Sequence, residues 1–446
     1  MASNRSLASI NKDILHIALP ALGALIAEPL FILTDSAFIG RVGKTELAGL
    51  SLAASILTPI VGLCVFFAYS PTTTVAFNVG ARRPAKAFEE SYSGLWLAFF
   101  LGAVLTVFLS IFAEQLCGYL SNDAAVIEQA KIYLRISALG IPAMLCVLAA
   151  TGALRGFKEA KPTFWVARLG AIANIALSYL FIYGFNWSLA GSAGATALCQ
   201  TGMALALIWF LHRLRQTRYD GITFSRKPYF ARILTTAKQA LPLLIRTLGL
   251  RGAILLTVWV ASSAGVVVLA THQIISSLWS LMAFVLDSLA IAAQTLIAQA
   301  LGERASDLSA LIKLLYRWVF LVSLSLGLLL FMLSPLLPGL FSTDTDIQNT
   351  TWLGIILIAL LMPLAAWVFI LDGILIGAGQ TKYLAYTSLL TALFYIPVIW
   401  FLKEAELSSS QSILSLWGAF GGYFMLLRAA FGQWRVRHLL RGKPNL

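Results

Sequence analysis

Four carboxylic acids stand inside long apolar stretches of this chain: Glu28, Asp35, Asp287 and Asp372. A charge in hydrocarbon costs about 2.5–3.5 kcal/mol on insertion scales, so an acid kept there is a candidate for handling ions or protons. Asp35 lies in the segment FILTDSAFIG. Glu28 stands seven residues earlier, two helical turns away and on the same face. A carboxyl removed from water is easier to protonate, so either acid can take up and release a proton. The competing reading is a static hydrogen bond between helices, or a hydrated position near the surface. Pro20 and Pro29 interrupt the hydrogen-bond ladder of the same segment and give it places to bend.

A second group of polar residues shares one spacing. Gln273, Ser280, Asp287 and Gln294 recur every seven residues, a polar stripe along one helical face. Such a stripe lines a wet cavity that takes substrate, or forms a hydrogen-bonded seam between helices. Asn174 and Ser178, four apart on one face, and Thr196 in the following apolar run read by themselves as packing polar groups. Asp372 sits beside Gly373, where a capping or hydrated position is as good a reading as a working one. Lys131, Arg135, Arg168 and Arg428 can extend their long stems to the interface, whereas Arg246 and Arg251 are deeper and invite pairing with acids. His16 and His272 have no companion at metal-ligand spacing and read as structural. No phosphate-binding G-x-x-x-x-G-K-[ST] loop, nucleophile elbow or H-E-x-x-H pair occurs, which argues against an ATP-driven motor, a hydrolase or a zinc enzyme.

The elements that position these residues follow from composition. Of 446 residues, 59% are hydrophobic and 11% charged, with a mean hydropathy of +0.85. A soluble domain carries about 25% charged residues. Lipid is therefore the expected solvent, and each apolar stretch long enough to cross it must be a helix that satisfies its own backbone. The pattern predicts twelve spans near 13–39, 46–78, 90–113, 125–153, 162–184, 190–211, 238–262, 265–301, 313–336, 348–376, 382–402 and 411–434. The first continues past Phe38 without a small-residue cleavage site, so the start reads as a tail and a first span, not a removed leader.

The net charge of +13 is a matter of topology rather than nucleic acid. With the N-terminus inside, the inner connections hold 23 of the 32 Lys and Arg, and the outer ones hold Arg41, Lys44 and Lys403. The expected orientation has both termini in the cytoplasm. Cys64, Cys117, Cys146 and Cys199 lack C-x-x-C spacing and read as small buried apolar groups.

The chain also repeats itself. A shift of 222 places Ala18-Leu19-Pro20 on Ala240-Leu241-Pro242 and Gly80 on Gly302. A shift of 221 places Pro142 on Pro363, Gly152 on Gly373, Gly156 on Gly377 and Lys161 on Lys382. Two six-helix lobes are expected, residues 1–211 and 238–434, joined by a polar linker at 212–237 and followed by a basic tail at 435–446. An even number of spans per half predicts a pseudo-two-fold axis along the membrane normal. The fold class is an all-α polytopic membrane protein.

The ALP-to-Asp35 first span, ELAGLSLA, NVGARR, ALGER, GALRGFKEAKPT and LDGILIGAGQTK together resemble the multidrug and toxic compound extrusion (MATE) family, in its DinF-like branch. The resemblance runs over nearly the whole chain. It implies a proton- or sodium-driven antiporter that exports amphipathic, often cationic, organic compounds by alternating access, with no cofactor. It also implies that Asp35 couples the cation, that Pro20 is the bend point, and that Asn174 and Thr196 are polar neighbours of Asp35. Ser178 stands where resembling members often carry an aspartate. That change leaves Asp35 more of a proton role or marks a different coupling ion. Such a protein is expected to work as a monomer in a bacterial inner membrane. The alternative is a lipid or lipid-linked oligosaccharide flippase, which needs a strongly cationic cavity for which Arg246 and Arg251 are the deep candidates. An enzyme lacks a catalytic constellation here, and a scaffold would not need the polar stripe.

Overall fold

The computed structural model describes residues 7–305 and 307–441, except for the side chains of residues 7, 8, 27, 28 and 30–33. Fifteen α-helices and no strand are found among the described residues. In the first half they are α1 (Leu7–Ile39), α2 (Lys44–Leu63), α3 (Phe66–Gly80), α4 (Pro84–Leu120), α5 (Ala124–Gly156), α6 (Ala160–Tyr179) and α7 (Ser188–Arg218). In the second half they are α8 (Phe230–Ser263), α9 (Val266–Gly302), α10 (Leu308–Leu333), the short α11 (Leu337–Phe341), α12 (Thr345–Gly377), α13 (Thr381–Glu404), α14 (Ser409–Trp417) and α15 (Met425–Arg441). Two π-helical turns, Leu180–Gly184 and Gly418–Phe424, continue α6 and join α14 to α15. Together these elements make twelve stretches long and apolar enough to cross a membrane.

The helices run further than hydropathy alone indicates. The third span is a 37-residue helix from Pro84 to Leu120, about 55 Å long at 1.5 Å per residue. A helix closes its backbone hydrogen bonds as well in water as in lipid, so it does not stop where the apolar residues do. For the same reason residues 212–218 continue α7 and residues from Phe230 begin α8, leaving 219–229 as the non-helical connection. The second span, by contrast, is broken: a tight turn at Cys64–Val65, between Pro59 and Pro71, separates α2 from α3.

Two compact units are present, Leu15–Ala240, and Leu241–Leu446 with Met1–Ile14. The first turns of α1 thus belong to the second unit, where Trp318 Nε1 donates to Asn11 Oδ1 at 2.8 Å.

The repeat is physical as well as textual. Asp123 caps α5 by accepting from the backbone N–H groups of Ala125 and Val126, and its own N–H donates to Ser121 Oγ. Asp344, 221 residues on, caps α12 in the same way with Ser342. The paired glycines mark close helix crossings. A Cβ on Gly152 would fall on the Ala68 carbonyl of α3, and one on Gly373 would fall on Ala290 of α9, the residue 222 beyond Ala68. Without a hydrophobic drive between helices in lipid, such small-residue crossings supply the packing.

Candidate functional site

Asp35 lies near the end of α1, only 4% exposed, in the unit Leu15–Ala240. Its partners are all neutral. Ser178 Oγ donates to Asp35 Oδ1 at 3.2 Å, and Thr196 Oγ1 donates to Oδ2 at 3.2 Å. Asn174 Nδ2 donates to Thr196 Oγ1 at 2.9 Å, and its Oδ1 is buried without a partner. Asn174 and Ser178 are one turn apart on α6, and Thr196 is in the third turn of α7, so three helices converge on one carboxyl. The π-helical turn begins two residues after Ser178. Such turns widen the helix and are frequent at functional sites.

No Lys or Arg among the described residues pairs with Asp35. A buried carboxylate held by hydroxyls alone carries an uncompensated charge. A proton neutralises it, and so does a small cation bound by Asp35 with the free Asn174 oxygen. Among the described residues no group of three His, Cys, Asp or Glu is placed to hold a metal ion.

The sequence residues attached to this site divide as follows. Asp35, Asn174, Ser178 and Thr196 are brought together. Glu28 falls in α1, but its side chain lies outside the described residues. Pro20 lies inside α1, which runs unbroken from Leu7 to Ile39. The α9 stripe grades from surface to interior. Gln273 and Ser280 are exposed, Asp287 is half-buried, and Gln294 is buried beside Gly377 of α12.

The second unit treats the equivalent positions differently. Thr257 and Tyr395, the repeat partners of Asp35 and Asn174, share a 2.7 Å hydrogen bond and are fully buried. Tyr395 packs against Phe424, and Trp417 against Phe420 and His272. An uncharged aromatic core therefore occupies the place that holds a carboxylate in the first unit.

The charge of the second unit lies elsewhere. Asp372 Oδ2 accepts from Arg246 Nη2 of α8 at 2.5 Å and from Arg428 Nη2 of α15. The three side chains are 13%, 13% and 9% exposed, in the order Asp372, Arg246, Arg428. Arg246 thus pairs with an acid, as its depth suggested. Arg428 does not reach an interface; it turns inward to the same carboxylate. Arg251 is exposed. The three-helix ion cluster was not readable in advance, because its members stand 126 and 56 residues apart. Its signals in the sequence were local ones, the acid Asp372 in an apolar stretch and the depth of Arg246.

A family model described as MatE matches residues 20–180 and again 242–401, so each half carries one copy. Protein DETOXIFICATION 44, chloroplastic, of Arabidopsis thaliana is 27% identical over 96% of this chain and 82% of its own length. DNA damage-inducible protein F of Escherichia coli is 26% identical over 84% of this chain and 82% of its own length. The solved structure described as MATE in the bent conformation has the same fold, with a TM-score of 0.87 at 19% identity over 97% of this chain and 96% of that one. With the family model matched once in each half and twelve membrane-length stretches among the described residues, the chain belongs to the MatE family and is a multi-pass membrane transporter.

Proposed function

We propose that this protein is a secondary active exporter that couples the exit of amphipathic, often cationic, organic compounds to the entry of protons or sodium ions through Asp35. The observation that carries the reading is the isolation of that carboxyl, which is buried among Ser178, Thr196 and Asn174 and paired with no basic residue among those described. Binding of a cation there removes a buried charge from α1, the helix that also contains Pro20. A ligand changes an equilibrium only by binding two states unequally. The proposed difference is an Asp35 site that is neutral in one state of access and charged in the other. At Pro20, as at Pro29, α1 has no backbone donor to resist bending, and Pro20 is the proposed bend point.

Ser178 supplies a hydroxyl where a second carboxylate would draw a metal cation more strongly, which favours the proton over sodium. Gln273, Ser280, Asp287 and Gln294 are proposed to meet substrate along α9. The flippase alternative is less well supported, since Arg246 is engaged with Asp372. The charge bias favours both termini in the cytoplasm, and bacterial relatives such as DNA damage-inducible protein F of Escherichia coli favour a bacterial inner membrane, in which a single working chain is proposed.

The test is efflux of a fluorescent amphipathic cation from proteoliposomes, with proton and sodium gradients imposed separately. The expected result is transport driven by the pH gradient and lost in Asp35→Asn. Transport that persists unchanged in Asp35→Asn overturns the coupling role, and transport driven by sodium alone overturns the proton preference.

A further inference from the structure

The repeat breaks at the basic end of each unit's last span. In the first unit an open groove of about 220 Å³ lies between the start of α6 and the end of α7. Leu154, Pro162, Phe210 and Leu214 form its apolar wall, and Arg213, Arg218 and Glu159 its polar edge. In the second unit, 221 residues further on, the corresponding space is closed by side chains. Tyr383 and Trp434 stand at the places of Pro162 and Arg213, and their rings stack at 6.2 Å. Tyr383 Oη donates to the Phe431 carbonyl at 2.8 Å. The Arg435 guanidinium lies 5.2 Å from the Tyr383 ring and donates to Gln380 Oε1. The same backbone frame therefore packs shut in one unit and stays open in the other, and the residues that keep it open include a cation.

The charge balance of the groove is positive. Glu159 is paired with Arg218. Arg213 pairs with no acid among the described residues, and its guanidinium rests 5.3 Å from the ring of Trp209. Lys161, next to Pro162, is exposed. Trp209 is 52% exposed one turn before Arg213, and an exposed Trp beside basic residues marks the headgroup level of a bilayer. The groove is also remote from the coupling site. Pro162 and Asn174 are twelve residues apart on α6, about 18 Å along its axis.

We propose that this groove binds one anionic glycerophospholipid, with its phosphate on Arg213 and Arg218 and its glycerol and first acyl carbons against Leu154, Pro162, Phe210 and Leu214. Basic pockets between transmembrane helices at headgroup depth recognise such lipids. A zwitterionic headgroup would bring its own cation against the arginines. A soluble phosphate would leave the apolar wall uncovered.

The test uses the full-length protein in detergent and follows its thermal midpoint as phosphatidylglycerol, phosphatidylcholine or soluble glycerol phosphate is added. Phosphatidylglycerol is expected to raise the midpoint of the wild type, and the other two are not. Arg213→Gln should raise the half-effective phosphatidylglycerol concentration about five-fold, which is the loss of one arginine near an anionic surface. Arg213→Lys should stay within about two-fold of wild type. The double variant Pro162→Tyr with Arg213→Trp copies the packing of the second unit. It is expected to keep the lipid-free midpoint and lose the response, so the test stands even if the single variant folds poorly. An equal response to phosphatidylcholine, a response to glycerol phosphate alone, or a response unchanged in both Arg213→Gln and the double variant overturns the proposal.

Discussion

Replacing Asp372 by Thr takes the shared carboxylate from two guanidiniums at once, and the size of the effect follows from the structure. Each arginine donates one charge-assisted hydrogen bond to Asp372 Oδ2 from a site about nine-tenths buried. Hydrogen bonds to charged groups contribute about 1.5–3 kcal/mol each, so losing both costs about 3–6 kcal/mol. That agrees with the roughly 3–5 kcal/mol for breaking a buried ion pair from one side. A surface pair would contribute at most about 1 kcal/mol. The repeat supplies the control. The residues 221 earlier, Thr151 and Leu207, are buried in the first unit and manage the same position without charge. The double variant Asp372→Thr with Arg428→Leu removes one of the two cations that have lost the carboxylate. It should therefore recover about 1.5–3 kcal/mol relative to Asp372→Thr alone. The assay is reversible denaturant unfolding in bicelles of wild type, both single variants and the double variant. An Asp372→Thr variant within about 1 kcal/mol of wild type would show that the cluster is solvated and behaves like a surface pair. A double variant as unstable as the sum of its singles would show that the two residues do not act together.

Three further outcomes follow from packing and charge. Gly152→Val and Gly373→Val should each destabilise by about 1–3 kcal/mol through overpacking. A Cβ at Gly152 would sit 3.1 Å from the Ala68 carbonyl carbon, and one at Gly373 would sit 2.9 Å from Ala290 Cα. Gly202→Ala, with nothing beyond its own stretch of helix within 4 Å of the new methyl, should be neutral or stabilising by up to about 1 kcal/mol in the same denaturant unfolding assay. The 219–229 connection should loosen at high pH. Burial holds the Tyr219 phenol above its ordinary value, with Arg218 opposing and Glu159 adding to the shift. Tyr219 packs on Phe88 and Phe157, and Phe224 stacks on Phe88. A group raised on folding stabilises below its ordinary value, about 10 for tyrosine, and that stability is lost as pH rises through the folded value. Tryptic cleavage after Arg226, measured as the ratio of wild type to Tyr219→Phe, should therefore climb above about pH 10. A flat ratio refutes the docking role of the phenol.

The candidate site around Asp35 was partly legible because one member announces itself. Asp35 is an acid in an apolar run, and that is a local property. Its partners are not local: Ser178 is 143 residues away and Thr196 is 161. Ser and Thr are ordinary in transmembrane helices, so only family resemblance singled them out. Asp372 shows the opposite case. As an isolated letter beside a glycine it is ambiguous, and Arg428 looks free to snorkel. The structure pairs them because α8, α12 and α15 converge within one unit. The broken second span and the two π-helical turns gave no hydropathic signal, since all their residues are apolar enough to continue a helix.

What the sequence determined by itself is what lipid imposes residue by residue: the all-helical class and the twelve spans, together with the repeat that halves them. A bilayer leaves each span one way to satisfy its backbone, so composition is sufficient to read it. The tertiary structure alone decided which side chains meet. It placed three neutral residues around Asp35, two arginines on Asp372, and an open basic groove in one unit where the other is packed shut. Those outcomes depend on which faces of distant helices come into contact, and side-chain packing is specific to the pair of faces that meet.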